Sequence, residues 1–380
     1  MSVASLPRSF QRIRDVARQE CKNLTLAELM RGTRPDVDSR IKAGRWLHQQ
    51  LPIRFARRIE DFLQLNHLVV CNPHIGNVLD AYLETFDAIT AHREIVTPYD
   101  ESQFCELIRK QNTLHGPGTQ LIAEGYKEVQ QMYSDIQLDD FLNTFFTSRI
   151  ATRILMDNYV EMREPKPGFV GVVRQGMRPS ELVRNLADPL VVLTTSVYGD
   201  APSLEYRGNG DTRLDYIPRH VGYMLRELLK NALRATVERH KGKSSQIPPV
   251  VVELQQGDVH VIIKISDCGG GVPKHIQEKA WKYGWTTAAG DEDLTPWGEW
   301  SSGSAAQKRA KDLAGYGFGL PLTRLHAQYF GGDVFMQALP GHGTDMYLLL
   351  THLKEGTSST EIDDLSATLY SREQAGQLPR

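Results

Sequence analysis

Apolar residues recur at helical spacing through roughly the first 160 positions, and at sheet spacing only beyond them. Over residues 51–63, Leu51, Phe55, Ile59 and Phe62 form one stripe, with Arg54, Arg57 and Arg58 set among them. Next, Asn72 before Pro73 reads as an N-cap with proline at the first helical position. The stripe Ile75, Val78, Leu79, Tyr82, Leu83, Phe86 and Ile89 follows it. A third helix carries Phe104, Leu107 and Ile108 and stops at the breaker cluster Leu114-His115-Gly116-Pro117-Gly118. A fourth runs through Leu121, Ile122, Gly125, Val129 and Met132, and a fifth from about Leu138 through Phe145, Ile150, Ile154 and Leu155. Several long helices with short links predict an antiparallel helical bundle over residues 1–164.

The pattern changes after Glu164-Pro165-Lys166-Pro167-Gly168. A short β-branched run at 169–173 precedes a helix over 180–186, and residues 190–196 read equally as helix or strand. The runs 249–254 and 259–266 predict a hairpin across Gln255-Gln256-Gly257-Asp258. A helix marked by Leu322, Leu325 and Tyr329 and strands at 333–339 and 344–350 complete an expected α/β sandwich over 165–354, with one mixed sheet and helices on one face. Residues 286–314 are long and polar for a packed connection and read as a lid, and 355–380 as a polar tail.

The 380 residues suffice for two cores, and 41% hydrophobic with 24% charged residues is ordinary for a soluble protein. A net charge of −2 gives no electrostatic case for a nucleic-acid partner, and no apolar run reaches the length of a membrane span. Cys21, Cys71, Cys105 and Cys268 lack metal or disulfide spacing and suit a reducing compartment. The first fourteen residues carry Arg8, Arg12 and Arg14 among serines and no acid, which fits a mitochondrial presequence or, equally, a basic first helix.

Candidate chemistry gathers in three stretches. On a helix, Glu227, Lys230, Asn231 and Arg234 share one face opposite Leu225, Leu228, Leu229 and Ala232. Such a stripe alone is ordinary amphipathicity. Its companions are Asp267-Cys268-Gly269-Gly270-Gly271 at a strand end and Gly315-Tyr316-Gly317-Phe318-Gly319-Leu320-Pro321 before a helix. Carboxylate and amide oxygens suit Mg2+, Lys and Arg suit phosphates, and glycines let main-chain N–H groups approach a ligand. Asp267 can accept from the exocyclic amine of adenine, with Thr344 as a second polar contact. Neither a GxGxxG nor a P-loop is present, and the motifs of ordinary protein kinases are missing. In the helical half, Arg149 and Arg153 lie one turn apart beside Ser148, as a carboxylate site or as surface-seeking cations; His115 sits at a helix break, where capping is the plain alternative.

These three motifs resemble the ATP site of the GHKL superfamily. Within it, Glu227-x-x-Lys230-Asn231-Ala232-x-Arg234-Ala235-Thr236 and the two glycine clusters resemble the mitochondrial protein kinases of the α-keto acid dehydrogenase complexes, over about residues 43–353. The stretches Leu51-Pro52-Ile53-Arg54-Phe55-Ala56-Arg57-Arg58-Ile59, Val70-Cys71-Asn72-Pro73, Gln103-Phe104-Cys105-Glu106 and Leu121-Ile122-Ala123-Glu124-Gly125, with Tyr223, are more similar to the branched-chain members than to the pyruvate members. The resemblance implies a GHKL-type (Bergerat) ATP-binding domain and phosphorylation of serine on the decarboxylase subunit. It also implies docking to the lipoyl-bearing acyltransferase core, a homodimer, and the mitochondrial matrix. Glu227 is then the general base with Lys230 beside it, Asn231 the Mg2+ ligand, and Arg234 a phosphate contact. Asp267, Gly269, Gly271 and Thr344 hold adenine. Thr286, Thr287, Gly315, Gly317, Phe318, Gly319 and Leu320 belong to the lid hinge and phosphate loop; some relatives add K+. An inhibitory α-keto acid pocket falls on His115, Ser148, Arg149 and Arg153. Pro117 and Trp285 depart from the family pattern, and the lid is longer. The phosphoaccepting helix of sensor kinases is missing, which speaks against autophosphorylation on His115. A different class, an ATP-driven scaffold without transferase activity, is disfavoured by Glu227.

Overall fold

The computed structural model describes residues 6–22, 26–242, 246–257, 260–286 and 316–352. The chain divides into two compact units at Arg174/Gln175.

The first unit is helical. Its helices are α1 (Leu6–Ala17), α2 (Leu26–Gly32), α3 (Val37–Gln64), the single turn α4 (His67–Val70), α5 (Pro73–Ala91), α6 (Pro98–Leu114), α7 (Gly118–Met132) and α8 (Asp139–Glu161). The long α3 is central and packs on α1, α5, α6 and α8. It starts well before the expected residue 51 and runs straight through Pro52. A proline inside a helix costs about 3 kcal/mol. Leu47, Leu51, Phe55, Ile59 and Phe62 are each at most 3% exposed, and burial of that stripe at about 1.5–3 kcal/mol per side chain outweighs the lost bond.

The expected cap of α5 is present: Asn72 Oδ1 accepts from His74 N (3.0 Å) and Ile75 N (3.2 Å). At the start of α6, Thr97 and Asp100 form a reciprocal capping box. The basic N-terminal stretch, where described, is a helix: Ile13 and Ala17 of α1 are buried, and Arg57 Nε donates to Ala17 O at 3.1 Å. The first unit runs through β1 (Phe169–Val170), which pairs with β2 (Val173–Met177), and ends within β2. Asn158 on α8 holds this segment by accepting from Val172 N (3.3 Å).

The second unit is an α/β sandwich. After α9 (Pro179–Tyr198) come β3 (Leu204–Gly208), β4 (Leu214–Tyr216), α10 (Pro218–His240), β5 (Val250–Gln256), β6 (His260–Ser266), the turn α11 (Lys274–Gln277), α12 (Gly319–Tyr329), β7 (Asp333–Leu339) and β8 (Gly343–Thr351). The ambiguous residues 190–196 are helical, within a helix that continues through Pro189. Five strands form one mixed sheet in the order β3-β5-β6-β8-β7, with β3 parallel to β5 and the other pairs antiparallel. Strand alternation puts Val252, Leu254, Val261, Ile263, Ile265, Leu348 and Leu350 on one buried face. Leu225, Leu228, Leu229, Ala232 and Leu233 of α10 are buried too, and α10 packs on β5, β6, α9 and α12. That leaves the opposite stripe of α10 for polar chemistry. The expected lid and tail lie outside the described residues.

Candidate functional site

The nucleotide-site candidates all belong to the second unit, on α10, just after β6 and at the start of α12. Packing the leucine stripe of α10 inward turns Glu227, Asn231 and Arg234 to the half-buried opposite side. Glu227 is fixed from two directions. Lys230 Nζ stands 2.9 Å from its Oε1, and its Oε2 lies only 2.4 Å from the point where a Cβ on Gly319 would stand. Gly319 is the first residue of α12, so the carboxylate sits at the start of a helix, where N–H groups point outward. Arg234 Nε lies 3.9 Å from Glu238 Oε1. Behind Glu227, Tyr223 is raised well above the usual tyrosine range by burial and then by the Glu227 charge. Its ring meets His326, whose Nδ1 is 3.2 Å from Nδ1 of His220.

Asp267 leaves the end of β6. Its Oδ1 accepts from Gly269 N (2.7 Å) and Thr344 N (3.2 Å). Burial nevertheless outweighs both bonds and raises its carboxyl from 3.8 to about 6. A carboxylate held so by one oxygen directs the other at an incoming donor. The loop after it leaves no room for side chains: a Cβ on Gly271 (φ +71°) would stand 2.3 Å from Leu339 O, and one on Gly343 1.9 Å from Asp267 O. Gly341 N donates to Gly270 O (2.8 Å), and Gly270 N to His342 O (3.2 Å), so the turn between β7 and β8 closes over the glycine loop. Cys268 N donates to Thr236 Oγ1 (3.3 Å), and Arg239 Nη2 to Gly341 O (2.6 Å).

Of the glycines expected to form a phosphate loop, Gly319 lies against Glu227. Gly317 has φ +76° and lies against the main chain of Gly284 and Trp285, and Gly284 N donates to Gly317 O (3.1 Å). Phe318 is buried and packs on Tyr283, a structural role. Leu320 and Thr286 are half-buried; Thr287 and Gly315 lie outside the described residues. Thr236, Arg239, Tyr223 and the histidine pair complete the surroundings. Thr236 and Arg239 stand five and eight residues beyond Asn231 on α10, and helical counting puts neither on the Glu227 face, so that signal could not have found them.

In the first unit, His115, Arg149 and Arg153 line one small cavity with Phe55, Tyr82, Asn112, Thr152 and Met156. His115 is buried, stacks on Phe55 and has Nε2 2.8 Å from Thr85 Oγ1. Burial, then Arg149 and Arg153, lowers its imidazole to about 3, so it is neutral. Arg149 Nη2 donates to His115 O. Arg153 donates to Asp157 Oδ2 (2.8 Å) and Asn112 O (2.9 Å). Ser148 does not line this cavity. It lines another, because one residue along a helix turns the side chain by about 100°.

Comparison with known proteins fits both units. Residues 23–174 match the family model described as mitochondrial branched-chain alpha-ketoacid dehydrogenase kinase. Residues 217–354 match the one described as histidine kinase-, DNA gyrase B-, and HSP90-like ATPase. A mitochondrial pyruvate dehydrogenase (acetyl-transferring) kinase of Arabidopsis thaliana is 33% identical over 329 residues, covering 85% of this chain and 88% of the relative. The kinase of that name from Schizosaccharomyces pombe is 27% identical, over 85% and 91%. Isozyme 4 of Mus musculus is 30% identical, over 81% and 76%. With an ATPase fold in its second unit and such relatives along most of its length, the chain belongs to the mitochondrial α-ketoacid dehydrogenase kinases, ATP-dependent protein serine kinases of the GHKL type.

Proposed function

We propose that this chain phosphorylates serine on the decarboxylase subunit of the mitochondrial pyruvate dehydrogenase complex, in the matrix, docked through its helical unit to the lipoyl-bearing core as a homodimer. The observation that carries the choice of complex is the set of relatives spanning 81–85% of the chain, which are named as pyruvate dehydrogenase kinases. The motif resemblance leans instead to the branched-chain complex, and that second reading keeps one specific support, the branched-chain description of the model matching residues 23–174. Full-length similarity spans both units and takes precedence over a match confined to the helical part.

Within this reading, the residues fit a nucleotide and Mg2+. The side-chain-excluding loop at Gly271 and Gly343 brings main chain against the buried Asp267, a cradle for a flat base whose amine donates to the carboxylate, with Thr344 alongside. Asn231 offers a hard oxygen one turn from Glu227 for Mg2+. The N–H groups at the start of α12, with Gly317 and Gly319, suit phosphates, and Arg234 adds charge. ATP supplies the γ-phosphoryl group when bound, and Mg2+ offsets its charge. Glu227 takes the proton of the substrate serine, and Lys230 holds that carboxylate in place. Transfer of this kind is mostly positioning and charge neutralisation. In the helical unit, the cavity with Arg149, Arg153 and neutral His115 is suited to the carboxylate of an α-keto acid, its carbon chain against Phe55, Tyr82 and Met156.

Two assays test the proposal. Labelled γ-phosphate is offered with purified pyruvate and branched-chain decarboxylase subunits side by side; label on the branched-chain subunit alone reverses the choice of complex. Glu227→Gln is expected to abolish transfer while ATP still binds. Retained transfer in that variant would remove Glu227 as the base.

A further inference from the structure

A second cavity in the helical unit, of about 80 Å³, is lined by Arg54, Arg57, Arg58, Thr144, Thr147, Ser148 and Cys21. It is separate from the His115 cavity, though both share the wall between α3 and α8. On α8, Ser148 lines one and Arg149 the other; on α3, Arg54 and Phe55 divide the same way. Three arginines and three hydroxyls therefore converge on a space that the α-keto acid reading leaves unused.

The arginines are built in. Arg54 is 3% exposed, its Nη2 donates to Lys22 O (2.9 Å), and its guanidinium lies over the Trp46 ring. Arg57 donates through Nε to Ala17 O (3.1 Å) and through Nη2 to Gln19 O (3.0 Å). Those acceptors are neutral carbonyls; they orient the guanidinium without cancelling its charge. Arg58 Nη1 stands 2.8 Å from Asp61 Oδ2, without the alignment of a hydrogen bond, and Arg58 Nε has no hydrogen-bond partner among the described residues. Asp61 is the ion-pair partner of Arg58, and burial raises its carboxyl from the ordinary value. Partly buried cations in this state gain most from an oxyanion that takes several N–H bonds at once, and planar guanidinium forks match the oxygens of a phosphate. The α8 hydroxyls can donate to its remaining oxygens.

We infer that the cavity between α3 and α8 lined by Arg54, Arg57, Arg58, Thr144, Thr147 and Ser148 is a binding site for a phosphate group, free or carried on a small molecule. It is distinct from the His115 cavity and includes none of the nucleotide-site residues.

The test is isothermal titration of the nucleotide-free full chain with inorganic phosphate, and separately with glycerol 3-phosphate, at constant ionic strength. Saturable binding of phosphate is expected. Arg58→Gln should weaken it about tenfold or more, as loss of a charge-assisted hydrogen bond does, whereas Arg149→Ala should leave it within about twofold, a difference ordinary for a site not touched. Tighter binding of glycerol 3-phosphate than of phosphate identifies a small organic phosphate as the occupant class, and the reverse identifies the free ion. Should Arg58→Gln fail to fold, the double variant Thr144→Val with Ser148→Ala decides by the same comparison. No saturable binding of either probe overturns the inference. So does affinity unchanged in the α3 or α8 variant, or lost equally in Arg149→Ala, which would place the ion elsewhere.

Discussion

Asp267→Asn should make the nucleotide-free protein more stable while removing ATP binding. The wild-type carboxyl is raised from 3.8 to about 6 by burial. The folded state therefore binds the proton more tightly than the unfolded chain, and stability declines as pH rises between those two values. At about 1.4 kcal/mol per tenfold in proton affinity, the full effect near neutral pH is at most about 3 kcal/mol, and residual solvent access brings it nearer 1–2 kcal/mol. Asparagine keeps Oδ1, hence both main-chain bonds from Gly269 and Thr344, and carries no charge to bury. The unfolding temperature of the variant should rise by a few degrees at about pH 7.5, since 1 kcal/mol corresponds to about 2–4 °C in a unit of this size. The difference should narrow by about half at pH 5 and to roughly a fifth at pH 4, where the folded carboxyl is protonated and the unfolded one partly so. ATP should protect the wild type and not the variant, because an amide N–H₂ now faces the donor amine of the base. Thermal unfolding at the three pH values, with and without ATP, reads all of this. A destabilised variant, or a difference that does not change with pH, refutes the account of a buried, charged Asp267; protection by ATP in the variant refutes its role in holding the base.

Two further perturbations probe the two units separately. Gly319→Ala puts a methyl 2.4 Å from the present position of Glu227 Oε2; the carboxylate must shift, and kcat should fall about 10- to 100-fold, as displacements near 1 Å do. The glycine has no positive φ, so the unfolding temperature should hold, and an unchanged kcat would contradict the placement of Glu227. A short α-keto acid at millimolar concentration should raise the unfolding temperature of the wild type and not of Arg149→Ala. An absent shift, or one that survives the substitution, counts against a carboxylate beside Arg149.

Periodicity exposes what local physics decides. The stripe of α10, the cap of α5 and the hairpin of β5 and β6 are each set by residues within a few positions of one another, and each stands where the pattern puts it. The two helices whose extent the pattern misses both contain a proline, Pro52 and Pro189. Locally a proline reads as a start or a stop; only the tertiary burial of Leu47, Leu51 and Phe55, or of Val183, Ala187 and Leu190, carries the helix past it. Sites divide along the same line. Motif spacing singles out Glu227, Asp267 and the glycines because a nucleotide would demand those types together. The wall that closes the glycine loop is made by residues 339–343, far along the chain, and no spacing rule reaches that distance. Ser148 fails for a different reason: adjacent residues on a helix face different spaces, so membership of a motif string does not imply a shared cavity. The same geometry that removes Ser148 from the His115 cavity places it with Arg54, Arg57 and Arg58. Neighbouring residues of α3 and α8 thus line two different cationic cavities.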